Sequence, residues 1–167
     1  MAQPASGTFE LPSDDEDLGR AGYQLHVNLQ RLLTVHNFER VYYEAPIPPG
    51  QLMGQIQLRT IAKVFTIAGH IESFCYAKNL RCRQVGMGAW RRHFVGKGGG
   101  EKTATFKSWA MERCRQLGWN VRWHDEADAC GVLAYAISLD PEFKPPWRDQ
   151  LTFAPEFAPK PKRRRVR

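Results

Sequence analysis

The sequence predicts an α/β domain, and three observations carry that prediction. Apolar residues recur at helical spacing in several long segments. Short β-rich runs stand between those segments. Gly and Pro clusters mark the joins. Strands alternating with helices indicate a central sheet with helices packed on it.

The elements follow in order. Residues 1–17 are rich in Pro, Ser and acids and read as a flexible acidic leader with one short strand, Gly7–Leu11. Asp17 can cap a helix from Leu18 to about His36. Its buried stripe would be Leu18, Tyr23, Leu25, Val27, Leu29, Leu32, Leu33 and Val35. Val41-Tyr42-Tyr43 is a short strand ended by Glu44-Ala45-Pro46, and Ile47-Pro48-Pro49-Gly50 is a loop. Residues 54–78 read as a long helix with Ile56, Ile61, Val64, Phe65, Ala68, Ile71, Phe74 and Cys75 inward. Cys82–Val85 is a second strand, Gly88–Phe94 a short helix or turn, and Gly96–Gly100 a glycine loop. Residues 101–117 form a helix closed by Gly118. Val121–Trp123 is a third strand, and Asp125–Leu139 a last helix with Ala129, Val132, Leu133, Ala136 and Ile137 packing inward. The domain proper is 18–140, and 141–167 is a Pro-rich basic tail.

The net charge of the 167-residue chain is +7. It is unevenly placed: residues 160–167 hold six cations, and residues 1–17 hold five anions and no cation. Setting both aside leaves +6 for residues 18–159, so the middle of the chain is basic in its own right. Such a charge speaks of partners rather than fold, with nucleic acid first and an acidic surface second. At 43% hydrophobic with five Trp and nine Phe, the middle is not a disordered segment. No apolar run reaches the roughly 20 residues that span a bilayer, and the first residues lack the basic-then-apolar order of a signal peptide. Cys75, Cys82, Cys114 and Cys130 form no C-x-x-C pair, so reduced, packed thiols of a cytoplasmic protein are expected.

Three acids stand where chemistry is expected. Glu44 ends an otherwise apolar strand, and Asp125 and Asp128 open the last helix three residues apart, on nearly the same face. Caps and solvated acids account for such residues as well as a metal does, since helix N-termini favour anions. Asp128 is the harder one to read as a cap, because it heads the apolar face with Val132 and Ala136. Hard carboxylate oxygens suit Mg²⁺ or Mn²⁺. His124 adjoins this pair and reads equally as a loop residue. From Lys78 to Arg122 there are eleven cations against two anions, with Trp90, Phe94, Phe106 and Trp109 interleaved. Arg91, Arg92, Lys97, Lys102 and Lys107 are the candidates to grip phosphates, assisted by N–H groups of the glycine loop. A solvated basic face is the plainer alternative. Gly96-Lys97-Gly98-Gly99-Gly100 lacks the Gly-Lys-Ser/Thr ending of a nucleotide-binding loop.

Several strings taken together resemble one family: Tyr42-Tyr43-Glu44-Ala45-Pro46, then Trp90-Arg91-Arg92-His93-Phe94-Val95-Gly96-Lys97-Gly98, Lys102, Cys114-Arg115-Gln116-Leu117-Gly118-Trp119, and Asp125-Glu126-Ala127-Asp128-Ala129. Their order resembles the phage-type RuvC-like crossover-junction endodeoxyribonucleases of the RNase H-like nuclease superfamily, over roughly residues 7–139. The resemblance implies an RNase H-like fold, a central mixed sheet flanked by helices. It also implies a Mg²⁺- or Mn²⁺-dependent endonuclease that resolves Holliday junctions as a homodimer in the bacterial or phage-infected cytoplasm. It would make Glu44, Asp125 and Asp128 metal ligands, and Lys102, with Lys97, a phosphate holder. Ile47, Leu52 or Met53 would wedge into the junction.

The sequence departs from the family in one respect. The family's first acid is an Asp on the first strand, and no such residue stands here; Asp14, Asp15 and Asp17 fall in the connection to the first helix. The first strands are thus expected to be missing, which leaves a thin sheet. The alternative function is a non-catalytic protein that recognises branched or duplex DNA.

Overall fold

The computed structural model describes residues 3–12, 17–48, 58–140 and 142–148. Asp14, Asp15, Leu52, Met53, Ile56 and the basic tail, for which expectations are stated above, lie outside the described residues. The chain divides into two compact units, Phe9–Gln84 on the one hand and Met1–Thr8 with Val85–Arg167 on the other.

The first unit carries α1 (Leu18–His36), β1 (Arg40–Glu44), α2 (Leu58–Ala77) and most of β2 (Arg81–Val85). Asp17 starts α1 as expected, its Oδ1 accepting the Arg20 N–H at 2.7 Å. Asn37 ends the helix in the left-handed region, φ 45°, and its N–H returns to the Leu33 carbonyl at 2.9 Å. Asn tolerates that conformation better than most residues. β1 and β2 pair in parallel, with α2 as the crossover. Leu25, Leu29, Phe74 and Cys75 form the core between α1 and α2, with Leu33, Val41, Ile71 and Leu80 partly buried around it.

Some expected inward residues face out. Tyr23 and Val35 of α1 are 70% and 73% exposed, and Val64 and Phe65 of α2 are 44% exposed. Each lies off the narrow stripe that meets the partner helix; a helix packed on one neighbour covers only part of its apolar surface. His70 of α2 sits over Gly22 of α1, where an added Cβ would come within 2.1 Å of its Nε2. Its Nδ1 meets His26 Nε2 at 3.2 Å, one turn along α1.

The second unit carries α3 (Met87–Val95), α4 (Thr103–Gln116) and α5 (His124–Ser138). Trp90, Phe94, Phe106, Ala110, Cys114, Trp119, Ala127 and Ala134 are buried in it. Gly131 lets α5 approach α3, for a Cβ there would lie 2.5 Å from the Trp90 ring. α4 closes at Gly118 (φ 71°), and the Trp119 N–H reaches back to the Cys114 carbonyl at 2.9 Å, a C-terminal motif that sets Trp119 against Phe94.

Two expectations are corrected here. Val121–Trp123 is not a strand: the Arg122 N–H is taken by the Glu126 carboxylate at 2.9 Å, and the neighbouring Asn120 N–H by the Gln3 side-chain oxygen at 2.9 Å. Backbone donors held by side chains are not available to a ladder. Gly7–Leu11 likewise has no regular structure. The described sheet therefore has two parallel strands, not a larger mixed set.

Candidate nucleic-acid interface and acidic site

Glu44 is exposed at the last position of β1. The strand end that presents it is tied down by a network that sequence reasoning did not single out. Tyr43 donates its hydroxyl to Glu72 Oε1, and Gln84 Nε2 donates to the same oxygen at 2.8 Å. One carboxylate on α2 thus joins β1 to the strand after it. These hydrogen bonds hold the Glu72 carboxyl below the usual range, while burial and then the bond to Glu72 push the Tyr43 phenol up.

The acid pair belongs to the second unit. Asp125 is exposed in the first turn of α5, and Lys107 Nζ of α4 stands 3.4 Å from its Oδ1. Asp128 is half-buried one turn further on, and its Oδ1 is enclosed without a hydrogen bond, though the residue makes other interactions. The acid of this helix that lies in the core is Glu126, 6% exposed. Its position between two recognisable Asp residues gave no signal of this. Ala129, expected inside, is exposed, and His124 is an exposed first residue of α5.

The expected phosphate-gripping residues separate into two groups. Arg92, Lys102 and Lys107 have exposed or half-exposed side chains, and Lys97 pairs with Glu101. Lys102 stands at the N-cap of α4 with Lys107 beyond the first turn. Arg91 departs from this set. It is 8% exposed, with its guanidinium 4.5 Å from the Phe106 ring centre and 5.5 Å from that of Trp90. Arg91 and Arg92 point about 100° apart on α3, and here Arg91 turns to the core while Arg92 faces water. The stacking replaces part of the lost hydration. The glycine loop is clasped rather than open: a Cβ on Gly98 would lie 2.6 Å from the Gly88 carbonyl oxygen.

Comparison with solved structures identifies the architecture. The structure of Thermus thermophilus RuvC matches over 82% of this chain and 80% of that one, with a TM-score of 0.61 at 15% identity. The fold is RuvC-like. No protein-family model and no curated protein matches the sequence. Glu44 stands at a strand end in the first unit, and Asp125 and Asp128 at the start of a helix in the second. Among the described residues, no group of three or more His, Cys, Asp and Glu side chains is gathered to hold a metal ion. No helix among the described residues is long and apolar enough to cross a membrane.

Proposed function

We propose that this chain acts on branched DNA as an endonuclease of the Holliday junction resolvase type. The observation that carries the reading is the RuvC-like fold, with acids at the strand end and helix start that the family resemblance assigns to cutting. Glu44, Asp125 and Asp128 are the candidate donors for the Mg²⁺ or Mn²⁺ that such hydrolysis calls for. Arg92, Lys97, Lys102 and Lys107 are the candidate phosphate contacts, with Lys102 nearest in kind to the family's catalytic lysine. Arg91 supports that surface from within. The protein would work in the cytoplasm as a homodimer, a two-fold assembly suited to a four-armed substrate.

A second reading is a protein that binds branched DNA without cutting it, since no residue of the sequence matches the family's first-strand Asp. One experiment separates the two. Wild type and Glu44→Gln are incubated with four-way junction DNA in Mn²⁺ and in Mg²⁺, with binding and cleavage scored separately. The nuclease reading expects wild-type cleavage that Glu44→Gln abolishes while binding is kept. Tight binding with no cleavage in either metal leaves the binding-only reading. Affinity that does not fall with salt removes both, because phosphate contacts release counterions.

A further inference from the structure

A cleft of about 460 Å³ lies within the second unit, lined by Ser6, Gly7, Thr8, Asn120, Arg122, Trp123 and Glu126. Its volume falls in the range of small-molecule sites. Three features give it chemical character. Glu126 is 6% exposed, and both of its hydrogen bonds land on Oε2, from the Arg122 N–H at 2.9 Å and the Ser6 hydroxyl at 3.4 Å. Its Oε1 is left to accept from whatever enters. Trp123 is 62% exposed, a large flat ring at the mouth of a polar cleft. Arg122, also exposed, adds a cation beside it.

We infer that this cleft is a pocket for one unstacked DNA base carrying an amino group, stacked on Trp123 and read by Glu126. Stacking on an aromatic ring is open to every base. The carboxylate is selective: it accepts from the amino group of adenine, cytosine or guanine and repels the two carbonyl oxygens that flank the single N–H of thymine. Arg122 supplies charge for the neighbouring phosphate. Asp125 is the residue before Glu126, so the pocket lies on the face of α5 next to the proposed cutting acids. The inference rests on the DNA reading above and adds a subsite to it.

The test uses the full chain and four-way junctions that differ only at one unpaired nucleotide next to the branch: adenine, thymine, an abasic site, or none. Affinities are read by fluorescence anisotropy at fixed salt. Wild type should bind the adenine junction about 5- to 100-fold more tightly than the abasic one. Trp123→Ala should erase that difference and leave the fully paired junction unaffected, and Trp123→Phe should keep most of it. Glu126→Gln should keep stacking but lose the preference for adenine over thymine, with a thermal melt to confirm folding. Equal wild-type affinity for adenine and abasic junctions would overturn the pocket while the DNA reading stands. So would a Trp123→Ala variant that weakens all four junctions alike. Failure of wild type to bind any of them would overturn both.

Discussion

The two units solve the packing problem differently. In the second, large aromatic side chains from α3 and α4 are sealed against small residues of α5: Trp90 is 0% exposed, and Phe94 and Phe106 are each 2% exposed. In the first, the cluster of Leu25, Leu29, Phe74 and Cys75 is surrounded by partly buried residues, and Val35, Leu58 and Tyr76 stay 73%, 80% and 91% exposed. Among the described residues, the three helices of the second unit close a core on themselves, whereas the two strands and two helices of the first leave apolar side chains exposed. The lesson concerns tolerance. A sealed core has no slack for a change of volume, while a sparse one can settle around it.

The largest expected effect tests that contrast. Trp90→Ala should cost about 3–5 kcal/mol, at the full value for an aromatic truncation, because its neighbours are fixed on every side. Leu25→Ala, in the first unit, should stay near the lower end of the range of about 2–5 kcal/mol, since half-buried Leu33 and Leu80 can close in. Urea denaturation of the two variants measures both. Equal losses would break the distinction between a sealed and a sparse core.

The sequence made most of the helices legible because they announce themselves locally. Asp17 caps α1, Gly118 ends α4, and the apolar spacing of Phe74 and Cys75 or of Val132, Ala136 and Ile137 marks faces that stay buried. Strand assignment failed at Val121–Trp123, where composition is right but the Arg122 N–H is claimed by Glu126 and the N–H of Asn120, just before the stretch, by Gln3. Gln3 is distant in sequence, and no local pattern reveals it. The same limit applies to the site. Glu44, Asp125 and Asp128 were visible as acids at element ends, whereas the burial of Glu126 and Arg91 depends on which way α5 and α3 are turned against their neighbours.

A smaller pair of changes sharpens the comparison at two glycines. Gly131→Ala drives a methyl group to 2.5 Å from the Trp90 ring and 3.2 Å from Phe94. Overpacking of that kind costs about 1–3 kcal/mol, of which the gain in helix propensity returns about 1. Gly22→Ala meets a still closer atom, 2.1 Å away, but that atom is the end of the His70 side chain. The imidazole can swing off, losing its contact with His26 at 3.2 Å, worth about 1 kcal/mol. Propensity returns about the same, so the melting temperature should barely move. A Gly22→Ala variant that melts far below wild type would show that the first unit is as rigid as the second.

The smallest expected effect is a difference in pH response between the units. In the second unit, the His93 imidazole lies against Tyr135, with ring centres 5.8 Å apart. Desolvation lowers its pKa and the Arg113 charge adds to this, while a hydrogen bond to the Ala134 backbone works the other way. A His lowered in the folded state binds fewer protons there than in the unfolded chain, so folding loses stability as pH falls below the ordinary His value of about 6.5. In the first unit, the Glu72 carboxyl is held low by Tyr43 and Gln84. Its contribution is complete above the ordinary carboxylate range and is lost as pH falls through that range toward its lowered folded value. The windows are therefore separate. His93→Gln should flatten the decline in stability just under pH 6.5 and leave the acid limb alone, and Glu72→Gln should do the reverse. Thermal melts across that pH span read both, and a His93→Gln variant that keeps the decline below pH 6.5 would remove the imidazole as its source.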